Sequence, residues 1–366
     1  MPRLRRADCS GTGIARRRQG QGFRYDDARG RQITDFDALS RIEALVLPPA
    51  WNEVWICPYP NGHIQAVGTD AAGRRQYRYH DEWRRQRDRS KHESILGFAE
   101  ALPAAREHLA EQLALPRLTR SRVLAGAVRL LDLGFFRIGS EEYAEANHTY
   151  GLATMRREHV RISGDLVTFS YLGKAGKEQV RSVAEEPVRR LVTALKRRRD
   201  GGDELLSYRG PAGWVDVKSA DINVYLRDLL GVEATAKSFR TWHATVFAAV
   251  GLAVAERTAT SPTAAKRAVA HVVREVAGYL GNTPAVCRSS YIDPRVIELF
   301  QDGITISEEL DTLGEGVAFG VPATQGPIEA AVIGLLRDAG SRRRVRRLRV
   351  TAVQPVITPA TTARSA

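Results

Sequence analysis

Short apolar runs separated by turn clusters occupy the first quarter of the chain, and a three-and-four spacing of apolar residues replaces them afterwards. Between Gly22 and about Trp83, the runs Val54-Trp55-Ile56-Cys57 and Ile64-Gln65-Ala66-Val67 alternate with the turns Tyr59-Pro60-Asn61-Gly62 and Asp70 to Gly73. This pattern predicts a small β-rich domain. One helix is expected inside it over Phe36 to Leu45, with Asp35 or Asp37 as N-cap. Beyond Lys91 the spacing is helical, at His92 to Leu113 and at Ser121 to Leu133, where Leu124, Val128 and Leu131 share a face. Further helices are predicted at Pro187 to Arg198, Asp221 to Leu230, Ser238 to Glu256 and Pro262 to Leu280, the first and last opening on proline. His159 to Val183 interrupts them. It alternates and contains the turns Gly164-Asp165 and Gly173-Lys174-Ala175-Gly176, which predicts a three-stranded antiparallel ribbon with Lys174 at one tip.

The fold class implied is α+β: a small β-rich N-terminal domain and a larger, mainly α-helical domain carrying the ribbon. The boundaries expected are a basic flexible N-terminus at residues 1–20, the β-rich domain at 21–90, the helical domain at 91–312 and a basic, partly disordered C-terminal extension at 313–366. The final TPATTARSA is expected to be disordered. No internal repeat is evident.

Composition adds a partner. Lys and Arg number 55 against 42 Asp and Glu in 366 residues, a net charge of +13. Such a field attracts polyanions, of which nucleic acid is the commonest large one in a cell. The alternative is a solvated basic surface or basic tails, since Arg16 to Arg18 and Arg342 to Arg349 contribute; the interior segment Arg74 to Lys91 is basic as well. The longest apolar stretch, Val246 to Val254, is interrupted by Gly251 and is far shorter than the roughly 20 residues that span a bilayer. The basic start lacks a following apolar region, so no secretory signal is expected and the protein is placed in the cytoplasm, on the nucleoid. Cys9, Cys57 and Cys287 are odd in number and far apart, against a disulfide framework or zinc ribbon.

Several chemistries find no residues to carry them. The nearest approach to a phosphate cradle, Gly173-Lys-Ala-Gly-Lys, has the wrong spacing for a P-loop. Asp35-Phe36-Asp37 reads as a helix start rather than half of a two-metal site. No HExxH, Cys/His cluster or GxSxG is present. No nucleotide or metal cofactor is therefore expected.

Four places put cations or amide donors in unusual settings. Arg137 lies between an apolar helix end, Leu133-Gly-Phe-Phe, and Ile138-Gly139-Ser140, where Ser140 can cap a new helix. Lys174 sits at the ribbon tip. Arg240 opens an otherwise apolar helix, and Asn282 and Tyr291 share the segment after Leu280. Each has an ordinary reading taken singly: paired buried arginines, a solvated hairpin lysine, a helix C-cap and a core aromatic.

Taken together, the segments resemble the type IB DNA topoisomerases, in the compact branch shared by poxviruses and bacteria. The resemblance covers about Gly22 to Phe300. It rests on PPAW (48–51), VWICP (54–58), GTDAAGRRQYRYHDEW (68–83), RIGSEEYAEANHTYGLATMRREHV (137–160), GKAGK (173–177), KSFRTWHAT (237–245) and NTPAVCRSSYIDP (282–294), in the family's order. It implies a nucleophile at Tyr291, basic catalytic residues at Arg137, Lys174 and Arg240, and Asn282 where the family usually has histidine. It also implies a monomer closing as a clamp on double-stranded DNA. Gln76, Tyr77 and Tyr79, with Arg74 and Arg75, would meet the major groove, and Tyr150 and Lys237 would make further DNA contacts.

The residue types suit that chemistry. A pentacoordinate phosphorus transition state gathers charge on its nonbridging oxygens, and a guanidinium matches two of them. A lysine among arginines has its pKa pushed towards usefulness as a general acid for the 5′ oxygen. Asn282 can donate a hydrogen bond but cannot titrate near neutral pH. Two rivals compete with this reading. A tyrosine recombinase or integrase would use the same ester, but usually has histidine three residues before the second arginine, where this chain has Lys237. An inactive DNA-binding protein would have no need of Tyr291 together with Arg137, Lys174 and Arg240.

Overall fold

The computed structural model of the protein describes residues 3–313 and 321–352, with 88, 89, 91, 92, 143, 312 and 340–352 in backbone only. The expected disorder of TPATTARSA lies outside the described residues, as do the side chains of Arg342 to Arg349. The chain divides into two compact units, Met1–Glu93 and Ser94–Ala366.

The first unit holds a five-stranded antiparallel sheet, a short helix between its strands and the opening turns of the next helix. Its elements are β1 (Ile14–Gln19), β2 (Gly22–Asp26), α1 (Phe36–Ala44), β3 (Asn52–Ile56), β4 (Ile64–Thr69) and β5 (Arg75–Tyr79), with strand order β2-β1-β3-β4-β5. Asp35, rather than Asp37, caps α1, accepting from the Ala38 amide at 2.8 Å. Ile14, Ile42, Val54, Ile56 and Ala66 form the core. β1 corrects the expectation of a flexible stretch through residue 20. Its three arginines hide a strand: Ile14 pairs with Ile56, and Arg16 lays its guanidinium over the Phe23 ring at 4.2 Å while donating to Trp51 O at 2.6 Å. Arginine stems cover apolar surface as well as aliphatic residues do.

The helix α2 (Asp81–Leu113) begins far earlier than the apolar spacing implied. Arg84 to Lys91 carries no apolar period, but Asp81 and Glu82 in the first turn suit the positive end of the helix dipole.

The second unit follows with α3 (Arg120–Gly134), α4 (Glu141–Asn147), the ribbon β6 (Val160–Ser163), β7 (Leu166–Leu172) and β8 (Glu178–Val183), α5 (Glu186–Arg197), and the hairpin β9 (Ser207–Gly210) and β10 (Gly213–Asp216). It continues with α6 (Ser219–Leu230), α7 (Ala236–Glu256), α8 (Pro262–Leu280), α9 (Pro284–Ser290), α10 (Pro294–Gln301) and α11 (Pro327–Ala352). The ribbon is antiparallel in the order β6-β7-β8, as its turns predicted. The core reaches from α2 to α11. Ile328, Val332 and Leu336 of α11 are completely buried in it, so the compact unit does not end near residue 312. No described helix is long and apolar enough to cross a membrane.

A buried charge cluster ties this core together. Asp132 on α3 is wholly buried and accepts from Arg106 of α2 through Nε and Nη2, both at 2.9 Å, and from Arg129. Arg129 also reaches Glu185, while Arg106 reaches Glu329 of α11 at 2.5 Å. Trp242 of α7 donates its indole N–H to Glu329 at 2.7 Å. Burial opposes ionisation of Asp132, but Arg106, His243 and Arg129 together hold its carboxyl far below the usual carboxylate range. The stability it contributes is therefore present above an ordinary carboxylate pKa of about 3.9 and is lost only as pH falls through the depressed value. Removing one member of such a cluster leaves buried charge unpaired. Asp132→Ala is expected to lower the unfolding free energy by about 3–5 kcal/mol. Urea denaturation measures this, and a loss under about 1 kcal/mol would mean that the arginines find other partners.

Candidate active site

The site is assembled at the C-terminal end of α8. A helix end leaves carbonyls without internal partners and carries the negative end of the helix dipole. Gly281, at φ +61°, turns the chain there into the left-handed region. The Asn282 amide then bonds back to Ala277 O at 2.9 Å. Three successive carbonyls remain, and three arginines from three different elements take them. Arg181 of β8 donates to Tyr279 O at 3.1 Å, Arg240 of α7 to Leu280 O at 2.7 Å, and Arg137 to Gly281 O at 2.8 Å.

Arg137 follows α3 on a segment fixed by a close backbone approach. Leu152 N and Ala153 N donate to Arg137 O and Ile138 O, and a Cβ on Gly151 would come within 2.4 Å of Gly139 N. Ser140 stands at the N-cap position of α4, but its side chain makes no capping bond, contrary to expectation. Arg137 Nη2 also donates to Asn282 Oδ1 at 2.8 Å, and the Asn282 Nδ2 is buried without a partner among the described residues. The remaining Arg137 donors make no hydrogen bond among the described residues.

Arg240 is only 4% exposed, and its Nη1 donates to Phe135 O at 2.7 Å. Burial and Arg137 both lower its pKa; Tyr291 opposes them by charge and by a side-chain hydrogen bond. Neither Arg137 nor Arg240 pairs with a carboxylate among the described residues, unlike Arg106, Arg129 and Arg295. Their positive charge is left for an incoming anion.

Tyr291 closes α9, whose Thr283 N-cap and Pro284 start the helix. Its backbone is pinned by the bond from its N–H to Cys287 O at 3.0 Å, with Thr245 Oγ1 lying 3.3 Å from its carbonyl. The half-buried ring faces two cations, Arg240 Cζ and Lys237 Nζ, each 5.4 Å from its centroid. Burial pushes the neighbouring Cys287 thiol up to about 11, so it stays protonated.

The structure thus brings Arg137, Arg240, Asn282, Tyr291 and Lys237 together. Lys174 is exposed at the ribbon tip and touches none of them among the described residues. Arg181 and Tyr171 went unnoticed in the sequence. Tyr171 is buried with its ring stacked on Phe136 at 6.4 Å; burial raises its pKa, against the fields of Arg181, Arg240 and Arg137. Their only sequence signal is position on the ribbon.

In the first unit, β5 turns Arg75, Tyr77 and Tyr79 outward, with the two tyrosine rings stacked at 6.1 Å. Gln76 faces the other way. Its amide and the Arg74 guanidinium are both held by Asp70, at 2.9 and 3.0 Å, and the Arg74 backbone and side chain help lower that carboxyl to about 2. Gln76 and Arg74 therefore do not share the exposed aromatic face. Tyr150, half-buried, rests edge-on against His159 at 4.5 Å with Arg156 over its ring.

Residues 80–311 match the family described as eukaryotic DNA topoisomerase I, catalytic core, and residues 22–70 the family described as bacterial DNA topoisomerase IB, N-terminal domain. DNA topoisomerase 1B of Acanthamoeba polyphaga mimivirus is 29% identical over 297 residues, covering 79% of this chain and 88% of the relative. DNA topoisomerase 1B of vaccinia virus, strain Copenhagen, is 21% identical over 237 residues, covering 64% of this chain and 72% of the relative. With one matched family in each part of the chain and viral relatives spanning most of its length, the chain belongs to the type IB DNA topoisomerases, in their viral and bacterial branch.

Proposed function

We propose that this topoisomerase relaxes positive and negative supercoils by cutting one strand of duplex DNA, letting it swivel and resealing it, with Tyr291 as nucleophile and neither ATP nor a metal ion consumed. The observation that carries the reading is a pair of arginines, Arg137 and Arg240, free of carboxylate partners among the described residues and set beside a tyrosine.

In the cleavage step the Tyr291 oxygen bonds to phosphorus, its proton passes to solvent, and the bond from phosphorus to the 5′ oxygen breaks. Arg137 and Arg240 hold the nonbridging oxygens as charge builds, and one such donor is worth about 3–4 kcal/mol. The Asn282 Nδ2 adds a neutral donor where histidine would supply a charged one. Lys174 gives a proton to the departing 5′ oxygen, which requires DNA to draw the ribbon tip inward. The 3′-phosphotyrosyl ester conserves the bond energy, so religation is the same path reversed.

Duplex DNA would be gripped by a monomer closing as a clamp, in the cytoplasm on the nucleoid. The stacked Tyr77 and Tyr79 with Arg75 form the face that meets DNA, and Lys237 and Tyr150 add contacts from the second unit. Arg75→Ala is accordingly expected to lower the salt slope of DNA binding by about 1, as loss of one phosphate contact does. Arg74→Ala, already committed to Asp70, should change it little. Fluorescence anisotropy across a salt series compares them; equal changes would remove β5's outward face as the contact.

The deciding experiment is relaxation of supercoiled plasmid in EDTA without ATP. Full relaxation through a ladder of topoisomers is expected. An enzyme that joined two duplexes and relaxed none would be a tyrosine recombinase instead, the rival that Lys237 disfavours.

A further inference from the structure

The ribbon that carries Lys174 is anchored on both of its sides: one anchor packs beside Arg137, and the other ends on the same helix terminus as the phosphate-binding arginines. On one side, Phe169 and Tyr171 of β7 pack on Phe136 at 5.0 and 6.4 Å, immediately before Arg137. On the other, Arg181 and Gln179 of β8 stand opposite Phe169 and Tyr171 in the ladder. Arg181 Nη2 donates to Tyr279 O at 3.1 Å and to Gln179 Oε1 at 3.2 Å, and its Nη1 lies 3.4 Å from Val180 O. Beyond these anchors, the hydrogen bonds that support the tip from Gly173 to Lys177 among the described residues are its own, Gly173 N to Lys177 O and Gly176 N to Gly173 O, and Tyr150 N on Leu172 O.

We infer that Arg181 is a positioning residue that registers the Lys174 ribbon against the end of α8, one carbonyl away from Arg240 and two from Arg137. Successive helix residues rise by about 1.5 Å, so anchoring three arginines on three successive carbonyls fixes the ribbon relative to the phosphate clamp at that scale. A misplacement of about 1 Å at a reacting group costs on the order of 10²-fold in rate. Arg181 spends Nη1 and Nη2 on oxygens of the protein, whereas Arg137 uses Nη2 alone. It therefore acts through Lys174 rather than on the phosphate. This rests on the acid role given to Lys174 above.

The test separates proton delivery from phosphate binding. In an ordinary strand, phosphorus parts from an oxygen that needs the Lys174 proton. With sulfur at the bridging 5′ position the group leaves as a thiolate, of ordinary pKa about 8.5, and needs none. Single-turnover cleavage is measured on duplexes carrying a site that the wild-type protein cleaves, with either atom at that position. Arg181→Ala and Lys174→Ala are each expected to be slowed about 10²-fold on the oxygen strand and to come within about 3-fold of wild type on the sulfur strand, since no proton is then needed. The double variant should be no slower than the slower single one. Arg240→Ala should stay slow on both. Rescue of Lys174→Ala without rescue of Arg181→Ala overturns the inference alone, as does a double variant that multiplies the two losses. Failure of sulfur to rescue Lys174→Ala overturns the acid role and the inference with it. Should Arg181→Ala fail to fold, Gln179→Ala removes one oxygen of the same anchor and is read by the same pattern at smaller size.

Discussion

Tyr291→Phe is expected to lose at least about 10⁴-fold in plasmid relaxation while binding DNA as wild type does. The substitution removes one oxygen. Phenylalanine keeps the ring that faces Arg240 and Lys237 and leaves untouched the backbone bond to Cys287, so neither fold nor electrostatic surroundings change much. What goes is the hydroxyl and its bond with Arg240. Without it, no ester to DNA can form. Denaturant trapping should therefore yield no protein joined to a 3′ end, alongside unchanged anisotropy on duplex DNA. Relaxation within tenfold of wild type would transfer the role to another residue.

Arg240→Ala and Asn282→Ala should differ sharply. Arg240 contributes a permanent charge in a buried setting, and its loss is expected to slow cleavage by about 10²–10³-fold or more. Asn282 contributes one neutral donor, worth about 0.5–1.5 kcal/mol, so its loss should slow cleavage by roughly 3–10-fold. Arg240→Ala also deprives Phe135 O and Leu280 O of their donor, a cost of about 1–3 kcal/mol to stability for each buried group left unpaired. Melting temperatures recorded beside single-turnover rates separate the two effects. Equal rate losses would contradict the assignment of charge to one residue and mere hydrogen bonding to the other.

Much of this site could be read along the chain because its parts are local. Proline and a capping residue mark the start of α8, glycine marks its end, and Asn282 and Tyr291 fall on the next turn and helix. The ribbon announced itself by its turns. What stayed hidden depends on tertiary partners. β1 looked like a loose basic tail because its arginines work by their stems against Phe23. The first turns of α2 hold a single apolar residue, Trp83, in their sequence, so no apolar period betrayed them. The face taken by Gln76 follows from strand alternation and the Asp70 turn, and neither is visible in a motif that simply interleaves polar and aromatic letters. The convergence of Arg181 with Arg137 and Arg240 needed α8 as a common wall. Lys174, correctly placed at a tip, remains apart from the residues with which it is proposed to act.

The buried cluster that joins Arg106, Asp132 and Glu329 also bears on the order of events during synthesis. Glu329 holds Trp242 on the same helix as Arg240, yet it lies well beyond Tyr291 in the chain. In a growing polypeptide Tyr291 therefore emerges before the acid that braces α7, and contacts so distant in sequence form late. The residue proposed to cut a chromosome would thus leave the ribosome before the part that steadies its site, and act only once that part has joined, a temporal safeguard written into the position of one glutamate.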